Sequence, residues 1–410
     1  MVRLWLLSIT GVLFLAATMR LTNSGPSFWL STVYATLFLL LLSVILFKKI
    51  DLKFNSFIIF LISLFFIFGL MSAPVNSDRD IFFRIIMLTI LLIVSIIFIP
   101  SYFREDTEKI LIRLILISQI PILIIPIIID RGIDRTPYFG MFSNTNSLGG
   151  VAVTVLVVFT AFLLRDVEKM LLKRKTSKKY IYLNLLFIAS LLLLITYSTS
   201  RTSFVTALVV IFTGISLVLI NVFRHRKIGN LIFKLIIIGP ATALLFFILD
   251  KFIPLTESIN NNIISKFERK ASDLLDGRSV VWNETVENAG LFGGGSNFFY
   301  IETSIGAHNT FIAILGQYGW IPMIVFILIM LAGLYYSFIR FFKSESKYKY
   351  FAPLMLINFI TLSMAEDMSY KLSFIVALSI IGVCINNARL VIGSNLNSIS
   401  RTMQSEETAT

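Results

Sequence analysis

The sequence predicts an all-α integral membrane protein of about twelve transmembrane helices, with one long extracytoplasmic loop that contains short helices. Three observations carry this. Of 410 residues, 57% are apolar and 14% charged, with a mean hydropathy of +0.87, a balance foreign to soluble domains. Apolar runs of about 18–22 residues recur along nearly the whole chain, each long enough to cross the hydrocarbon core as a helix. No stretch shows the alternating polarity of a barrel strand. A backbone in lipid must satisfy its own hydrogen bonds, so helices follow.

The spans are expected near 4–19, 28–47, 54–72, 81–99, 110–129, 147–164, 181–198, 203–222, 231–249, 309–339, 351–367 and 372–388. The opening stretch, Arg3 followed by LWLLSITGVLFLAATM, resembles a signal peptide. No small-x-small cleavage site follows, so it is kept as the first span. Pro121 and Pro126 are expected to break the fifth helix. The tenth run is too long for one span and reads as a short interfacial helix from Asn309, then a true span from about Trp320. The chain divides into nine helices over 1–250, a loop subdomain over 251–307, three helices over 308–388, and a cytoplasmic tail over 389–410.

Loop charge sets the orientation. With both termini inside, the inner loops collect Lys48, Lys49 and Lys53, Arg104 and Lys109, the cluster from Arg165 to Lys179, Arg224 to Lys227, and Arg340 to Lys349. The outer loops hold far fewer basic residues. The net charge of +13 is then a topology signal plus attraction to anionic lipid heads, and no nucleic-acid partner is needed. The single cysteine, Cys384, excludes an intrachain disulfide framework and provides no metal cluster.

Four polar segments face outward in this topology: 130–150, 197–203, 251–307 and 365–371. In the long one, Ile259, Ile263, Ile264, Phe267, Ala271, Leu274 and Leu275 fall at helical spacing, an amphipathic helix suited to a membrane surface. A second helix is expected from Asp276, as N-cap, to Gly290, as C-cap.

These segments hold the residues that could carry chemistry. Arg201, in STSRTS, is either a snorkelling side chain or an anion ligand; positive charge on the less basic side favours the second. Arg278 and Trp282 lie one helical turn apart, either as a cation–π staple or as part of a diphosphate site at a helix start. Gly293, Gly294 and Gly295 form a flexible turn or a cradle of amides for an anion. Arg131 and Arg135, flanked by Asp130 and Asp134, make a self-neutralising patch or a rim for an acidic substrate. Asn144 and Asn146 suit a helix cap or sugar hydroxyls. Asp78-Arg79-Asp80 superficially matches a metal-holding D-x-D, but solvated charge is the preferred reading. Glu366 and Asp367 are placed to be counter-ions to the arginines. His308, beside Asn309 at the lip of a span, could accept a proton from a hydroxyl. His225 lies in a basic inner loop and reads as surface.

The order GMFSNTNSLGG, STSRTS, GRSVVW, LFGGGSNFF and AHNTFIAILGQYGW resembles the O-antigen polymerase and O-antigen ligase superfamily of bacterial surface-polysaccharide enzymes. The resemblance covers most of the chain from about residue 130. Its most specific part is AHNTF with Gly319 following His308, and STSR ranks second. Pro322 stands where the ligase branch carries glycine, threonine or tyrosine, which favours polymerase over ligase. The resemblance implies a bacterial cytoplasmic membrane, an outward-facing site, and undecaprenyl diphosphate-linked glycans as substrates. It implies neither metal nor nucleotide cofactor. Arg201, Arg278 and His308 match the family's functional arginines and histidine. Membrane lipids, a chain-length regulator and a flippase are the implied partners. A ligase-type transferase is the alternative, and a flippase or exporter a more distant one.

Overall fold

A computed structural model describes residues 2–47, 52, 55–130, 137–225, 255–265, 277–303 and 306–386. The expected span 231–249, Arg131, Arg135, the loop helix beyond Ser265 and the tail 389–410 lie outside the described residues. Helices α1 (Val2–Met19), α2 (Pro26–Leu46) and α3 (Ser56–Val75) come first. Then α4 (Arg79–Ile93) passes through a π turn, Val94–Phe98, into α5 (Ile99–Phe103). A single 3-10 turn, Arg104–Asp106, leads into α6 (Thr107–Asp130), followed by α7 (Thr145–Leu171), α8 (Lys178–Tyr197) and α9 (Arg201–His225). The polar loop contributes α10 (Leu255–Ile259), which continues as a π turn, and α11 (Arg278–Asn288). The chain ends with α12 (Thr310–Tyr318), α13 (Trp320–Lys343), α14 (Phe351–Ser363) and α15 (Leu372–Asn386). Among the described residues the only β contact is an isolated bridge between Thr22 and Phe142.

Eight segments among the described residues are long and apolar enough to cross a membrane. The molecule is therefore a multi-pass helical membrane protein. One segment, Arg79–Ile129, has 51 residues, far more than the ~20 that span a bilayer. The chain turns inside it at Arg104, whose φ is +51°. Phe57, Phe60, Ile67, Leu186 and Phe212 are exposed on α3, α8 and α9, as expected of faces that meet lipid. By contrast, α14 packs on α7, α9 and α13, and nearly all of its side chains are buried.

One expectation changes. Pro121 and Pro126 do not break the fifth span, because α6 runs through both. Each proline removes one N–H, and in lipid the rest of the helix has no better partner than itself. The tenth run does divide as expected, and Gly319 is where. Its φ is +96°, and a Cβ there would collide with the Leu291 carbonyl, so only glycine makes this corner.

The two ends of the bundle differ. At one end, α1 meets the 3-10 turn through Arg3 and Asp106, and Arg174 pairs with Glu345 at 3.1 Å. Two buried ion pairs sit just inside this end. Arg340 grips Glu108 with two hydrogen bonds of 2.7 and 2.8 Å. Glu168 accepts from Lys349 at 2.7 Å, Tyr350 at 2.7 Å and Asn221 at 2.8 Å. At the other end the polar loops join one another. Ser143 N–H donates to Leu21 at 2.9 Å, Tyr138 N–H to Tyr197 at 2.9 Å, and Asn76 Nδ2 to Gly293 at 3.1 Å. The basic loops and the polar loops thus segregate as the charge bias groups them.

Arg340→Ala leaves Glu108 buried and unpaired and is expected to cost ~3–5 kcal/mol. Adding Glu108→Leu should recover much of it. Unfolding titrations in mixed micelles measure both; a double variant as unstable as the single one would show that the pair is not the cause.

Candidate functional site

The polar end is organised around the turn between α14 and α15, residues 364–371. Four segments distant in sequence hold it. Arg278, at the first position of α11, donates from Nη1 to the Ala365 carbonyl at 2.6 Å. Its Nη2 lies 3.6 Å from Glu366 Oε1, so the expected counter-ion pairing is present. The same Glu366 oxygen accepts from Asn146 Nδ2 at 2.6 Å. Asn309 Nδ2 donates to Met364 at 3.1 Å, and Thr310 Oγ1 to the Glu366 carbonyl at 3.1 Å. Arg20, which follows α1, donates to the Ser369 carbonyl at 3.0 Å and lies over the Tyr370 ring.

Local sequence explains how these side chains are aimed. Asn144 caps α7, accepting from Ser147 N–H at 2.8 Å, which leaves Asn146 in the first turn facing Glu366. Asn309 caps α12 by accepting from Phe311 and Ile312 N–H at 2.9 and 3.2 Å. Gly277, at φ +79°, starts α11 in the left-handed region and delivers Arg278 to the turn.

A chain of hydrogen bonds continues away from Glu366. Ser200 Oγ donates to Asn146 Oδ1 at 2.9 Å and lies 2.9 Å from Ser203 Oγ. Ser203 packs against Gly149, where a Cβ would clash with it. Arg201 stands between these serines as the first residue of α9, half-buried. The SNTNS and STSRTS segments are therefore joined to Arg278 through Asn146 and Glu366.

Trp282 does not serve as a partner of Arg278. Its Nε1 donates to the Ala307 carbonyl at 2.9 Å, fixing the backbone immediately before His308. His308 itself is exposed, with φ at +45°, a conformation rare for a side chain larger than glycine or asparagine. It is held between Ala307, pinned by Trp282, and Asn309, pinned by Met364.

The three glycines serve packing. Gly294 N–H donates to Gly316 at 2.8 Å and Gly295 N–H to Gln317 at 3.3 Å, so both amides are used at the α12–α13 corner. A Cβ on Gly293 would strike the Gln317 and Gly319 backbone. Asp78 also differs from the solvated charge expected of it. Oδ1 caps α4 and Oδ2 accepts from Ser296 N–H at 2.6 Å. Partial burial pushes its pKa up, but the bonds from Ser296, Ile81 and Asp80 win and hold the carboxyl below its usual range. Among the described residues no group of three or more His, Cys, Asp or Glu is placed to hold a metal.

Two residues at this end escaped the sequence reading. Lys371 and Gln119 line a cavity with Asn146, Ser147, Thr154 and Glu366. Burial pushes the Lys371 ammonium pKa down; Glu366 and Asp367 oppose this, and Arg20 adds to it. Gln119 is a polar residue within an apolar run, and that alone was a usable signal. No protein-family model matches the chain, and no curated protein matches it.

Asn146→Ala and Glu366→Ala should be non-additive in thermal stability, with a coupling of ~0.5–3 kcal/mol in a double-mutant cycle. Additivity within ~0.5 kcal/mol would mean that the hydrogen bond between them contributes nothing.

Proposed function

We propose that this protein polymerises lipid-linked oligosaccharide repeat units into a surface polysaccharide, using undecaprenyl diphosphate-linked donors. The site would face outward on the cytoplasmic membrane of a bacterium. The observation that carries the reading is convergence. Segments that resemble the polymerase–ligase superfamily lie far apart in sequence, yet Asn146, Ser200, Arg278 and Glu366 form one bonded chain, and Asn309 is tied to the same turn. The reading keeps the expected twelve crossings.

In this reading Arg278 and Arg201 bind the diphosphate of the donor glycan. A hydroxyl of a second lipid-linked unit attacks the anomeric carbon. The bond from that carbon to the diphosphate oxygen breaks, and the lipid diphosphate leaves with the electron pair. The guanidinium groups stabilise the charge that develops on it. His308, exposed and fixed on both sides, orients the attacking hydroxyl and accepts its proton. Before substrate arrives, Glu366 holds Arg278 in place; a diphosphate would compete for the same Nη2. Membrane lipids, a flippase that delivers the donor and a chain-length regulator are the partners of such an enzyme. Pro322 and the absence of a ligase-pattern residue there favour polymerase over ligase.

Orientation is tested by cysteine labelling with an impermeant reagent. Position 287, exposed on α11, should label from outside and position 175, also exposed, should not; the reverse would remove the mechanism along with the topology.

Arg278→Lys should be nearly as damaging as Arg278→Ala, because lysine keeps the charge but loses the fork. The expected loss is about 10²–10³ in rate. Deleting the gene should leave single-repeat lipid-linked glycan and no long polymer. Polymer yield is measured beside membrane-inserted protein. Well-inserted Arg201, Arg278 and His308 variants that still polymerise normally would disprove the site. Long polymer that accumulates on its lipid carrier in the deletion strain would mean ligase instead.

A further inference from the structure

The cavity beside Glu366 is built differently from the arginine cluster. Gln119 is fully buried, and its Nε2 donates to Thr18 Oγ1 and Ser118 Oγ, both at 2.7 Å. Its Oε1 has no hydrogen-bond partner. A buried amide oxygen without a donor costs ~1–3 kcal/mol, so this acceptor calls for an O–H or N–H from a ligand. The cavity that Gln119 lines is also bounded by Ser147, Thr154, Lys371, Asn146 and Glu366. The lysine argues against a cation, and the carboxylate argues against an anion. The rest of the lining is mainly apolar, with Leu21, Val151, Leu362, Met368 and Leu372, a surface that suits the C–H faces of a sugar better than an ion. The interior volume is about 20 Å³, room for one water-sized group. The cavity is partly open, so the remainder of a larger molecule can stay outside.

We infer that this cavity is a subsite for one hydroxyl of a neutral sugar, the acceptor in the reaction proposed above, on which the inference rests. The hydroxyl donates to Gln119 Oε1 and accepts from Lys371 or from the Ser147 hydroxyl. The sugar ring lies across the mouth, over Asn146 and Glu366. The subsite would then choose the acceptor by the presence of one hydroxyl, because a ring lacking it leaves Gln119 unpaired. It also separates the two substrates: the charged end of the donor belongs to the arginines, and the neutral acceptor to the glutamine side of Glu366.

The test uses the full chain in detergent and saturation-transfer difference NMR with the methyl glycosides of glucose, galactose, mannose and N-acetylglucosamine. At least one should receive saturation from the wild-type protein. Its binding should weaken about three- to tenfold in Gln119→Met, as for the loss of one neutral hydrogen bond. Ser147→Ala provides a second variant if Gln119→Met fails to fold, since Gln119 also ties α6 to Thr18. No transfer to any glycoside, or transfer unchanged in both variants, would overturn the proposal. So would a high-resolution structure in which the cavity keeps an ordered water while a glycoside is bound. Wild-type protein that binds a glycoside yet never extends a lipid-linked repeat unit would instead sink the polymerase reading and leave the subsite standing.

Discussion

The arrangement at the polar end depends on one carboxylate oxygen. Glu366 Oε1 is shared by Asn146 Nδ2 at 2.6 Å and Arg278 Nη2 at 3.6 Å, and the three residues come from α7, α11 and the α14–α15 turn. Both charged side chains are largely buried, at 20% and 14% exposure. A buried charge without a partner is expensive, so α11 must dock where Arg278 meets the turn, and α7 must begin where Asn146 does. The turn is a consequence of the same requirement. It is held by side chains from α7, α11, α12 and the end of α1.

The buried charges at the opposite end follow other rules. Glu168 has three donors and Glu108 has both oxygens on one guanidinium. Both oxygens of each of those carboxylates accept a short hydrogen bond, and they fix helix positions. Glu366 and Gln119 are less completely satisfied. Arg278 stands at ion-pair distance from Glu366 without a short hydrogen bond to it, and Gln119 Oε1 has none at all. Buried polar groups that are fully bonded rigidify the structure around them. That contrast, within one chain, sets the polar end apart from the basic end.

Much of the helical scaffold was legible because lipid leaves few options. An apolar run of span length must be a helix, so 54–72 and 181–198 anticipated Ser56–Val75 and Lys178–Tyr197 closely. Gly319 was not identified as the break, but the excess length of the run required one. Proline misled: as a breaker it is judged against water, and α6 has none along its length to turn to. The site was legible only as residue types. Asn144 and Asn146 look alike in SNTNS, yet one caps a helix and the other bonds Glu366. Which does which follows from where α7 begins. The glycines at 293–295 were ambiguous for a similar reason. Amides that could cradle an anion could equally meet carbonyls, and only the position of the Gly316–Gly319 corner decides it.

His308 shows how the scaffold and the chemistry meet. A histidine at φ +45° is held in a strained conformation, of order 1–3 kcal/mol above the usual ones. Two bonds supply the restraint: Trp282 Nε1 to the carbonyl before it, and Asn309 Nδ2 to Met364 after it. Both anchors return to elements that also hold Arg278, since Trp282 shares its helix and Met364 begins its turn. Any shift of α11 relative to the turn therefore moves the arginine and the histidine together. In the polymerisation proposed above, a shared mount of this kind would preserve the separation of the diphosphate and the attacking hydroxyl while the lipid tails move in the bilayer.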